Sequence, residues 1–343
     1  MASGNAIEVP RATTPATPLL RAEPLDLRFA IPGGLPLHHG GELAQVDVAC
    51  RLTGPADAPV VAVMGGISAG RRVADTQDQL GWWGEVVGPG MPLDTERFQV
   101  LGIDFLGGSH ETTGPQSEAS FPTISTFDQA EVLRHALDQA GIGQLHACIG
   151  ASYGGMVALA LAVRYPRRVR RIVAISAAHR AHPMSTAWRS VQRAIVRYAL
   201  THRDGARGLQ LARALAMATY RSAREFEERF SSAPEHGPDG MVFPVEAYLF
   251  ARGESYAAQY RPEAFVCLSE SIDLHRIEPR EVTVPLTLLG ILEDQLVPIA
   301  DLRALRDGVA GGCQLVELSS LYGHDAFLKE KAVLRDLFVQ ALE

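Results

Sequence analysis

The amino-acid sequence predicts an α/β protein: a mostly parallel central sheet flanked by helices, with a helical segment inserted between two sheet strands. Two observations support this fold class. Short apolar or β-branched runs alternate with segments of helical spacing over most of the 343 residues, and from about residue 182 to 280 arginine-rich helical patterns replace that alternation.

The predicted strands follow one another along the chain. The run 46–53 alternates apolar and polar residues, which is typical of an antiparallel, half-exposed strand. More continuously apolar runs, typical of strands buried on both faces of a parallel sheet, occupy 59–66, 98–104, 145–152, 170–176, 285–292 and 313–319. Helical spacing appears at 127–142 and at 153–165, where the helix ends because Pro166 disfavours helical dihedrals in the residue before it.

This pattern divides the chain into three parts. Residues 1–24 are rich in Ala, Thr and Pro, which predicts a poorly ordered arm. Residues 25–181 and 281–343 form the sheet core, and 182–280 form a helical lid that is not an independent domain. No strand is predicted within the lid, which the turn-rich stretch 231–240 interrupts.

Composition excludes several classes of protein. The net charge of −7 argues against a polycationic surface for nucleic acid, and no apolar run approaches the ~20 residues of a membrane helix. The amino terminus lacks the basic start and apolar stretch of a secretory signal. The cysteines (Cys50, Cys148, Cys267 and Cys313) lie far apart without a CxxC pair, so we expect neither disulfides nor a zinc site, and a cytoplasmic location.

One short motif points to chemistry. Gly150-Ala151-Ser152-Tyr153-Gly154 has the form G-x-S-x-G and joins a predicted buried strand to a predicted apolar helix. Such a turn holds the serine in strained dihedrals, and side chains two positions either way would collide with the neighbouring strand and helix. We predict that Ser152 is a nucleophile. The alternative is a glycine-rich turn whose serine caps the helix.

A serine nucleophile needs a base, and the base needs an orienting acid. Asp294 follows the strand 285–292, and His324 lies in a glycine-containing loop after the next strand. Together with Ser152 they have the chain order serine, acid, histidine. Glu293 is a neighbouring candidate for the acid. Asp294 could also cap the next helix, and His324 could be an ordinary loop histidine.

An acyl-transfer site also needs two backbone N–H donors for the oxyanion. Tyr153, directly after the nucleophile, would supply one. The second should come from the loop after the strand 59–66, where Met64-Gly65-Gly66 lets the backbone approach a substrate closely. The alternative is that this Gly-Gly step is only a tight strand exit.

A longer segment carries a family resemblance. Residues 81–115, GWWGEVVGPGMPLDTERFQVLGIDFLGGSHETTGP, are followed in order by GASYGGMVALALAVRYP, SVQRAIV, GLQLAR, TYRS, VEAYL and LYGHDAFL. From about residue 40 to its end the chain resembles the homoserine O-acetyltransferase family of α/β-hydrolase-fold acyltransferases, some of which use succinyl-CoA. Ordinary hydrolases of that fold share the serine motif but not the segment 81–115.

The resemblance implies a role for each matching residue. Ser152 would be the nucleophile, Asp294 the acid and His324 the base, and Met64 and Tyr153 would supply the oxyanion N–H groups. Arg213 and Asp325 would bind the amino-acid substrate, because homoserine offers a carboxylate to a guanidinium and an ammonium to a carboxylate. Arg193 is the rival of Arg213, which could also be a solvated lid residue.

The chain departs from the family around the expected acyl group. Tyr153 stands where members usually carry methionine, and the loop MGGISAGRR and the loop LGGSHETTG replace the common versions. A succinyl group ends in a carboxylate that would need a cation. Arg71 and Arg72 could serve it, although a solvated loop pair is an equal alternative. We favour succinyl over acetyl as the transferred group.

The implied function is that of a homoserine O-acyltransferase in methionine biosynthesis, acting by a ping-pong mechanism through an acyl-serine. Acyl-CoA and homoserine would be the substrates, no metal or other cofactor is expected, and the resemblance implies a homodimer formed through the helical lid. Alternatives within enzymes are acetyl transfer, serine as acceptor, which lacks one methylene worth only ~1–3 kcal/mol of discrimination, and a plain esterase or thioesterase. A non-catalytic binding protein on the same scaffold is the alternative from another class.

Overall fold

A single eight-stranded sheet forms the centre of the molecule. The computed structural model describes residues 23–77, 79–116, 121–238 and 240–343. We number the sheet strands in chain order: β1 Leu25–Ala30, β2 Asp47–Thr53, β3 Val60–Met64, β4 Gln99–Ile103, β5 Ala147–Ala151, β6 Ile172–Ile175, β7 Leu286–Ile291 and β8 Cys313–Leu318. Their spatial order is β1-β2-β4-β3-β5-β6-β7-β8. Only the pairs β1–β2 and β2–β4 are antiparallel.

Helices cover both faces of this sheet. The α-helices are α1 Thr126–Gln139, α2 Tyr153–Arg164, α3 Pro183–Thr201, α4 Gly205–Tyr220, α5 Ala223–Phe230, α6 Pro244–Ala257, α7 Pro262–Asp273, α8 Ile299–Gly308 and α9 Lys331–Leu342. Short 3₁₀ turns occupy Pro166–Arg168, Pro279–Glu281 and Gly323–Leu328. Two-stranded ribbons pair Leu35–Pro36 with Glu42–Leu43, Val87–Gly88 with Leu93–Asp94, and Glu235–Gly237 with Gly240–Val242. The predicted α/β class with a mostly parallel, helix-flanked sheet is confirmed.

Strand β5 shows why the central strands read as continuous apolar runs. Its residue Cys148 faces a core shared with α1, α2 and α8, whereas Ala147, Ile149 and Ala151 face a second core that includes α9. Because successive side chains alternate between the two faces of a strand, a strand with a core on each side must be apolar throughout. The strand that leads to Ser152 is therefore rigidly held from both faces.

The chain between β6 and β7 forms the five helices α3 to α7. Four of them, α3, α4, α6 and α7, share a small apolar core made of Val196, Leu209, Ala212, Tyr256 and Phe265. Side-chain bonds also fasten this insertion to the loops above the sheet. The Tyr260 hydroxyl donates to Ser68 O at 3.0 Å, and the Ser185 hydroxyl donates to Leu296 O at 2.7 Å.

The structure differs from the sequence-based predictions in three places. Strand β1 was not predicted, because it is a half-exposed edge strand without a continuous apolar run. The prediction that 313–319 is buried on both faces is wrong, since β8 lies at the other edge and its residues are exposed or half-buried. The lid contains the paired strands Glu235–Gly237 and Gly240–Val242 where a plain turn was expected.

Two further expectations concern the chain's ends and surface. Residues 1–22 of the predicted arm lie outside the described residues. Within the part that the structure describes, no helix is both long and apolar enough to cross a bilayer.

Candidate active site

Ser152 occupies the sharp turn between β5 and α2. Its backbone has φ 54° and ψ −120°, a region that L-residues rarely adopt. A Cβ on Gly150 would lie 2.2 Å from Gly154 O, and a Cβ on Gly154 would lie 2.3 Å from Met64 O. Glycine is thus required at both positions by backbone atoms that cannot move aside. The Ser152 side chain makes no helix-capping bond, so the capping alternative is not what the structure shows.

The side chains of Ser152, His324 and Asp294 form one hydrogen-bonded chain. Ser152 Oγ lies 2.8 Å from His324 Nε2, and His324 Nδ1 lies 2.7 Å from Asp294 Oδ2. The other carboxylate oxygen, Asp294 Oδ1, accepts the N–H groups of Leu296 at 2.8 Å and Val297 at 3.0 Å. These bonds fix the carboxylate, which in turn fixes the tautomer and orientation of the imidazole.

The neighbouring candidate Glu293 points elsewhere. Its carboxylate accepts the Ser319 hydroxyl at 2.6 Å and the Ser320 N–H at 2.8 Å. The Glu293 side chain therefore stabilises the loop after β8, and Asp294 is the acid that reaches the imidazole.

Electrostatics favour the protonated form of His324. Burial by itself would lower the pKa of this histidine, but the charge and hydrogen bond of Asp294, with a smaller effect of the Asp325 charge, outweigh burial and raise the pKa above 6.5, while Arg189 opposes them. An imidazole of raised pKa takes a proton from a serine hydroxyl more readily. His324 can therefore remove the hydroxyl proton of Ser152 while the serine oxygen attacks a carbonyl carbon.

The expected oxyanion loop lies against the nucleophile turn. The Gly154 N–H donates to Gly65 O at 2.8 Å, and a Cβ on Gly65 would lie 2.8 Å from the Trp82 ring. Among the described residues, the N–H groups of Tyr153 and Gly65 have no protein acceptor. Gly65 thus joins Met64 as a candidate second donor, which the sequence reasoning had not singled out.

The Tyr153 side chain does not face a substrate. Its hydroxyl lies 2.7 Å from Ser271 Oγ and accepts from Gln129 Nε2 at 3.2 Å, and the ring is 1% exposed. The tyrosine that replaces the usual methionine therefore belongs to the core beneath the insertion. It does not form part of the wall around an acyl group.

A narrow cleft lies between the sheet core and the helical insertion. The core contributes Ile67, Ser152, Met156, Leu296, Val297, Asp301 and His324, and the insertion with its first linker contributes Arg180, Ala181, His182, Arg189, Gln192, Thr219, Tyr220, Phe265, Ser269 and Ile272. Ser152 and His324 are thus reached through a partly apolar space that the helices α3, α4 and α7 cover.

Neither Arg213 nor Asp325, the expected amino-acid ligands, is among the residues that line this cleft. The Arg213 guanidinium stacks over the rings of Tyr220 at 4.9 Å and Tyr256 at 4.7 Å, and Arg213 Nη1 donates to the Tyr220 hydroxyl at 3.3 Å. Asp325 Oδ2 lies 3.3 Å from Nε of Arg221. Tyr220, which the Arg213 guanidinium contacts, does line the cleft. Arg193, the rival of Arg213, is occupied by Asp273 at 2.5 Å and by Ser269 O at 3.0 Å.

The expected contact of Arg71 with an acyl carboxylate is wrong. Arg71 is 3% exposed, and its guanidinium pairs with Asp104, Glu111 and Asp26. Three carboxylates satisfy this cation, so none of its charge is available to a ligand. Arg72 is half-buried and is not among the residues that line the cleft, so the structure does not bring it to the acyl group either.

A strained serine on a strand-to-helix turn, bonded to a histidine and an aspartate from the next loops of an eight-stranded sheet, defines a protein of the α/β-hydrolase fold. The sequence model of the α/β-hydrolase-fold family matches residues 66–331 of this chain. The chain is 40% identical over 323 residues to a homoserine O-succinyltransferase from Xanthomonas campestris pv. campestris, covering 94% of this chain and 83% of that protein. It belongs to the family of homoserine and serine O-acyltransferases.

Other relatives agree with this assignment. A serine O-succinyltransferase from Litchfieldella anticariensis is 33% identical, with 87% of this chain and 93% of that protein covered. The crystal structure of a homoserine O-acetyltransferase from Bacillus anthracis superposes with a TM-score of 0.86 at 18% identity, covering 93% and 98% of the two chains. At that identity the crystal structure supports the fold alone.

Proposed function

We propose that this protein is a homoserine O-acyltransferase, which transfers an acyl group, succinyl in preference to acetyl, from acyl-CoA to the hydroxyl of L-homoserine. The observation that carries the proposal is the bond of 2.8 Å between Ser152 Oγ and His324 Nε2 at the floor of the covered cleft. The relative at 40% identity, a homoserine O-succinyltransferase, supports the choice of acceptor and donor, and O-acylhomoserine would serve methionine biosynthesis.

The first half-reaction acylates the serine. His324 Nε2 takes the hydroxyl proton as Ser152 Oγ attacks the thioester carbonyl, and the oxyanion is bound by the N–H of Tyr153 and one from the loop at Met64 and Gly65. The carbon–sulfur bond then breaks, the thiolate takes the proton from His324, and CoA leaves. Asp294 stabilises the imidazolium while it exists. No metal or redox cofactor is needed for this chemistry.

The second half-reaction transfers the acyl group to the amino acid. His324 accepts the proton of the homoserine hydroxyl, whose oxygen attacks the serine ester, and the proton returns to Ser152 as the ester bond breaks. Arg213 would bind the homoserine carboxylate, and Asp325 would bind its ammonium group. Asp325 is adjacent to the base, so the ammonium group would position the hydroxyl near His324.

The helical insertion has a direct role in this proposal. Water and homoserine compete for the same acyl-serine, so transfer requires that water be excluded. The helices α3, α4 and α7 cover the cleft, and Tyr260 and Ser185 fasten the insertion to the loops beside Ser152. A plain esterase, whose acceptor is water, would have no need of this exclusion.

The test is mass spectrometry of the protein after brief exposure to succinyl-CoA or acetyl-CoA. We expect a covalent acyl group on the peptide that contains Ser152, which L-homoserine removes faster than water does. The variant Ser152→Ala should carry no acyl group. Discharge by water at an equal rate would indicate a thioesterase, and the absence of any acyl group on Ser152 would refute the proposal.

Serine is the second candidate acceptor, because one relative is a serine O-succinyltransferase. Samples of the acylated protein can be exposed to L-homoserine or to L-serine at equal concentration, and the rates of acyl-group removal compared. We expect faster discharge by homoserine, with a rate ratio limited to about 10–200 because the two acceptors differ by one methylene. A ratio in favour of serine would assign the other acceptor without changing the mechanism.

We also propose a homodimer formed through the helical insertion and a location in the cytoplasm. Along α3, the apolar side chains of Met184, Val191 and Tyr198 recur every seven residues and are 53%, 54% and 68% exposed, which gives one face suited to a second copy. The variant Tyr198→Glu should convert the dimer to a monomer in light scattering, whereas Met241→Glu in the ribbon should not. The four free cysteines fit a reducing compartment.

A further inference from the structure

Two arginines of α3 share one carboxylate beside the cleft. Arg189 Nε and Nη2 lie 2.8 and 2.6 Å from Asp273 Oδ1, and Arg193 Nη1 lies 2.5 Å from Asp273 Oδ2. The side chains are 12%, 10% and 9% exposed for Arg189, Arg193 and Asp273. Among the described residues, neither arginine has another acidic partner. The cluster therefore carries one uncompensated positive charge.

Arg189 is the member of this cluster that faces the cleft. It lines the same space as Ser152 and His324, whereas Arg193 does not line it. Arg193 is bound further by Ser269 O at 3.0 Å and donates to Ser190 Oγ at 3.3 Å. In contrast, the terminal nitrogen Nη1 of Arg189 has no protein acceptor among the described residues. The uncompensated positive charge of the cluster is therefore accessible, through Arg189, to a ligand in the cleft.

The other arginine that lines the cleft, Arg180, differs from Arg189 in its exposure to solvent and in its ion pairing. Arg180 is 42% exposed at its side chain and lies 3.6 Å from Asp301, so it is paired one to one and solvated. A nearly buried guanidinium that must share its counter-ion with a second guanidinium is costly unless another anion completes the pairing. Of the two arginines, Arg189 is thus the one whose charge calls for a ligand carboxylate.

The amino-acid substrate has a different cation available. Arg213 contacts Tyr220 with Asp325 nearby, and that pair suits the carboxylate and ammonium groups of one amino acid. The acyl group would be attached to Ser152, and Arg189 lines the same cleft as Ser152. An acetyl group has no charge to offer this arginine, whereas a dicarboxylic acyl group has a terminal carboxylate.

We infer that Arg189 binds the terminal carboxylate of a dicarboxylic acyl group of the succinyl class and so selects the acyl donor. The inference rests on the proposed function of acyl transfer through Ser152. It assigns to Arg189 the role that the sequence had suggested for Arg71 and Arg72. The bidentate geometry of guanidinium and carboxylate favours arginine over lysine for this role.

Removal of Arg189 should not disturb the fold. Asp273 would keep its bond to Arg193, and the two would form an ordinary one-to-one ion pair. The variant Arg189→Gln therefore tests specificity, and Arg189→Lys keeps the charge without the planar fork. Arg197→Gln is the matched control, since Arg197 lies two turns further along α3, is 56% exposed and pairs with Glu270.

The experiment measures the rate of Ser152 acylation by succinyl-CoA and by acetyl-CoA, with no acceptor present, using intact-protein mass. For Arg189→Gln we expect the succinyl-CoA rate to fall on the order of 100-fold while the acetyl-CoA rate changes by less than about threefold. Arg189→Lys should recover part of the succinyl rate, and Arg197→Gln should match the unaltered protein.

Three results would overturn the inference. A similar fall with both donors would make Arg189 a structural residue, and no change with either would leave its charge without a role in donor choice. An unaltered protein that prefers acetyl-CoA would also refute the inference while acyl transfer stands. If no donor acylates Ser152, the proposed function itself fails.

Discussion

The backbone N–H of Arg71 donates to Asp104 Oδ1 at 2.7 Å, and the Arg71 guanidinium binds the second oxygen of the same carboxylate. Asp104 follows β4 and is 1% exposed, while Arg71 lies in the loop that follows β3. The pair therefore joins the expected oxyanion loop to the end of a neighbouring strand. Trp82 Nε1 supports the same loop by donating to Gly70 O at 3.1 Å.

Loss of this cation should destabilise the whole protein. In Arg71→Met, the Asp104 carboxylate remains buried without a counter-ion, and we expect the free energy of unfolding to fall by about 3–5 kcal/mol. Urea denaturation measures the change. Arg28→Met is the control, because Arg28 pairs with Glu111 at the exposed rim of the same cluster, so its loss should leave the free energy of unfolding nearly unchanged. Equal effects of the two substitutions would contradict the assigned burial.

The sequence predicted the nucleophile site better than the charge clusters, for a physical reason. Ser152, Asp294 and His324 each follow a strand of the central sheet, and the carboxyl ends of parallel strands meet at one edge of a sheet, so local patterns sufficed to bring them together. Arg71 pairs with Asp26, Asp104 and Glu111, which are 45, 33 and 40 residues away in the chain. No local pattern marks such partners.

The same limit applies within the insertion. Arg189 looks like one of many surface arginines on an amphipathic helix, and its sharing of Asp273 with Arg193 depends on how α3 packs against α7. Strand β1 escaped prediction because an edge strand needs few apolar residues. Both failures concern features that tertiary packing creates, whereas the turn at Ser152 is specified by neighbouring residues.

The glycines around Ser152 should not tolerate a methyl group. In Gly154→Ala the new Cβ would meet the Met64 backbone at 2.3 Å, so β3 and the nucleophile turn must separate. We expect a loss of stability of about 1–3 kcal/mol and a fall in Ser152 acylation beyond that loss, because the oxyanion loop moves with Met64. Gly143→Ala is the matched control, since nothing lies within 4 Å of its Cβ. Thermal unfolding and acylation rates together make the comparison, and a Gly154→Ala protein with unaltered acylation would contradict the geometry.

The pH dependence of acylation should follow His324. This histidine acts as a base only when neutral, that is above its pKa, so a raised pKa moves the acidic limb of kcat/KM for acyl-CoA to higher pH. Burial lowers the pKa of His324, and Asp294 and then Asp325 more than offset it, so we expect the midpoint of the limb above 6.5. Asp325→Asn removes one of the raising charges and should move the limb to lower pH.

The control for this shift is Asp336→Asn, an exposed carboxylate on α9. Arg189→Gln should move the limb in the opposite direction, because the Arg189 charge lowers the pKa of His324. Acylation rates without acceptor are the measurement, so any role of Asp325 in binding homoserine does not enter. A limb that stays in place in both Asp325→Asn and Arg189→Gln would contradict these electrostatic assignments.

Arg213 should govern the acceptor and leave the donor unaffected. In Arg213→Lys the charge remains, but the planar fork for a carboxylate and the stacking over Tyr220 and Tyr256 are lost. We expect KM for homoserine to rise about tenfold or more, with the acylation rate of Ser152 changed by less than about twofold.

Arg207→Lys, at an exposed position of the same helix α4, should change neither quantity. Because the proposed partner of Arg213 is the homoserine carboxylate, the fall in kcat/KM must appear in the discharge of the acyl-serine by homoserine and not in its discharge by water. Equal losses in both discharges would place Arg213 among the residues that merely hold the insertion together.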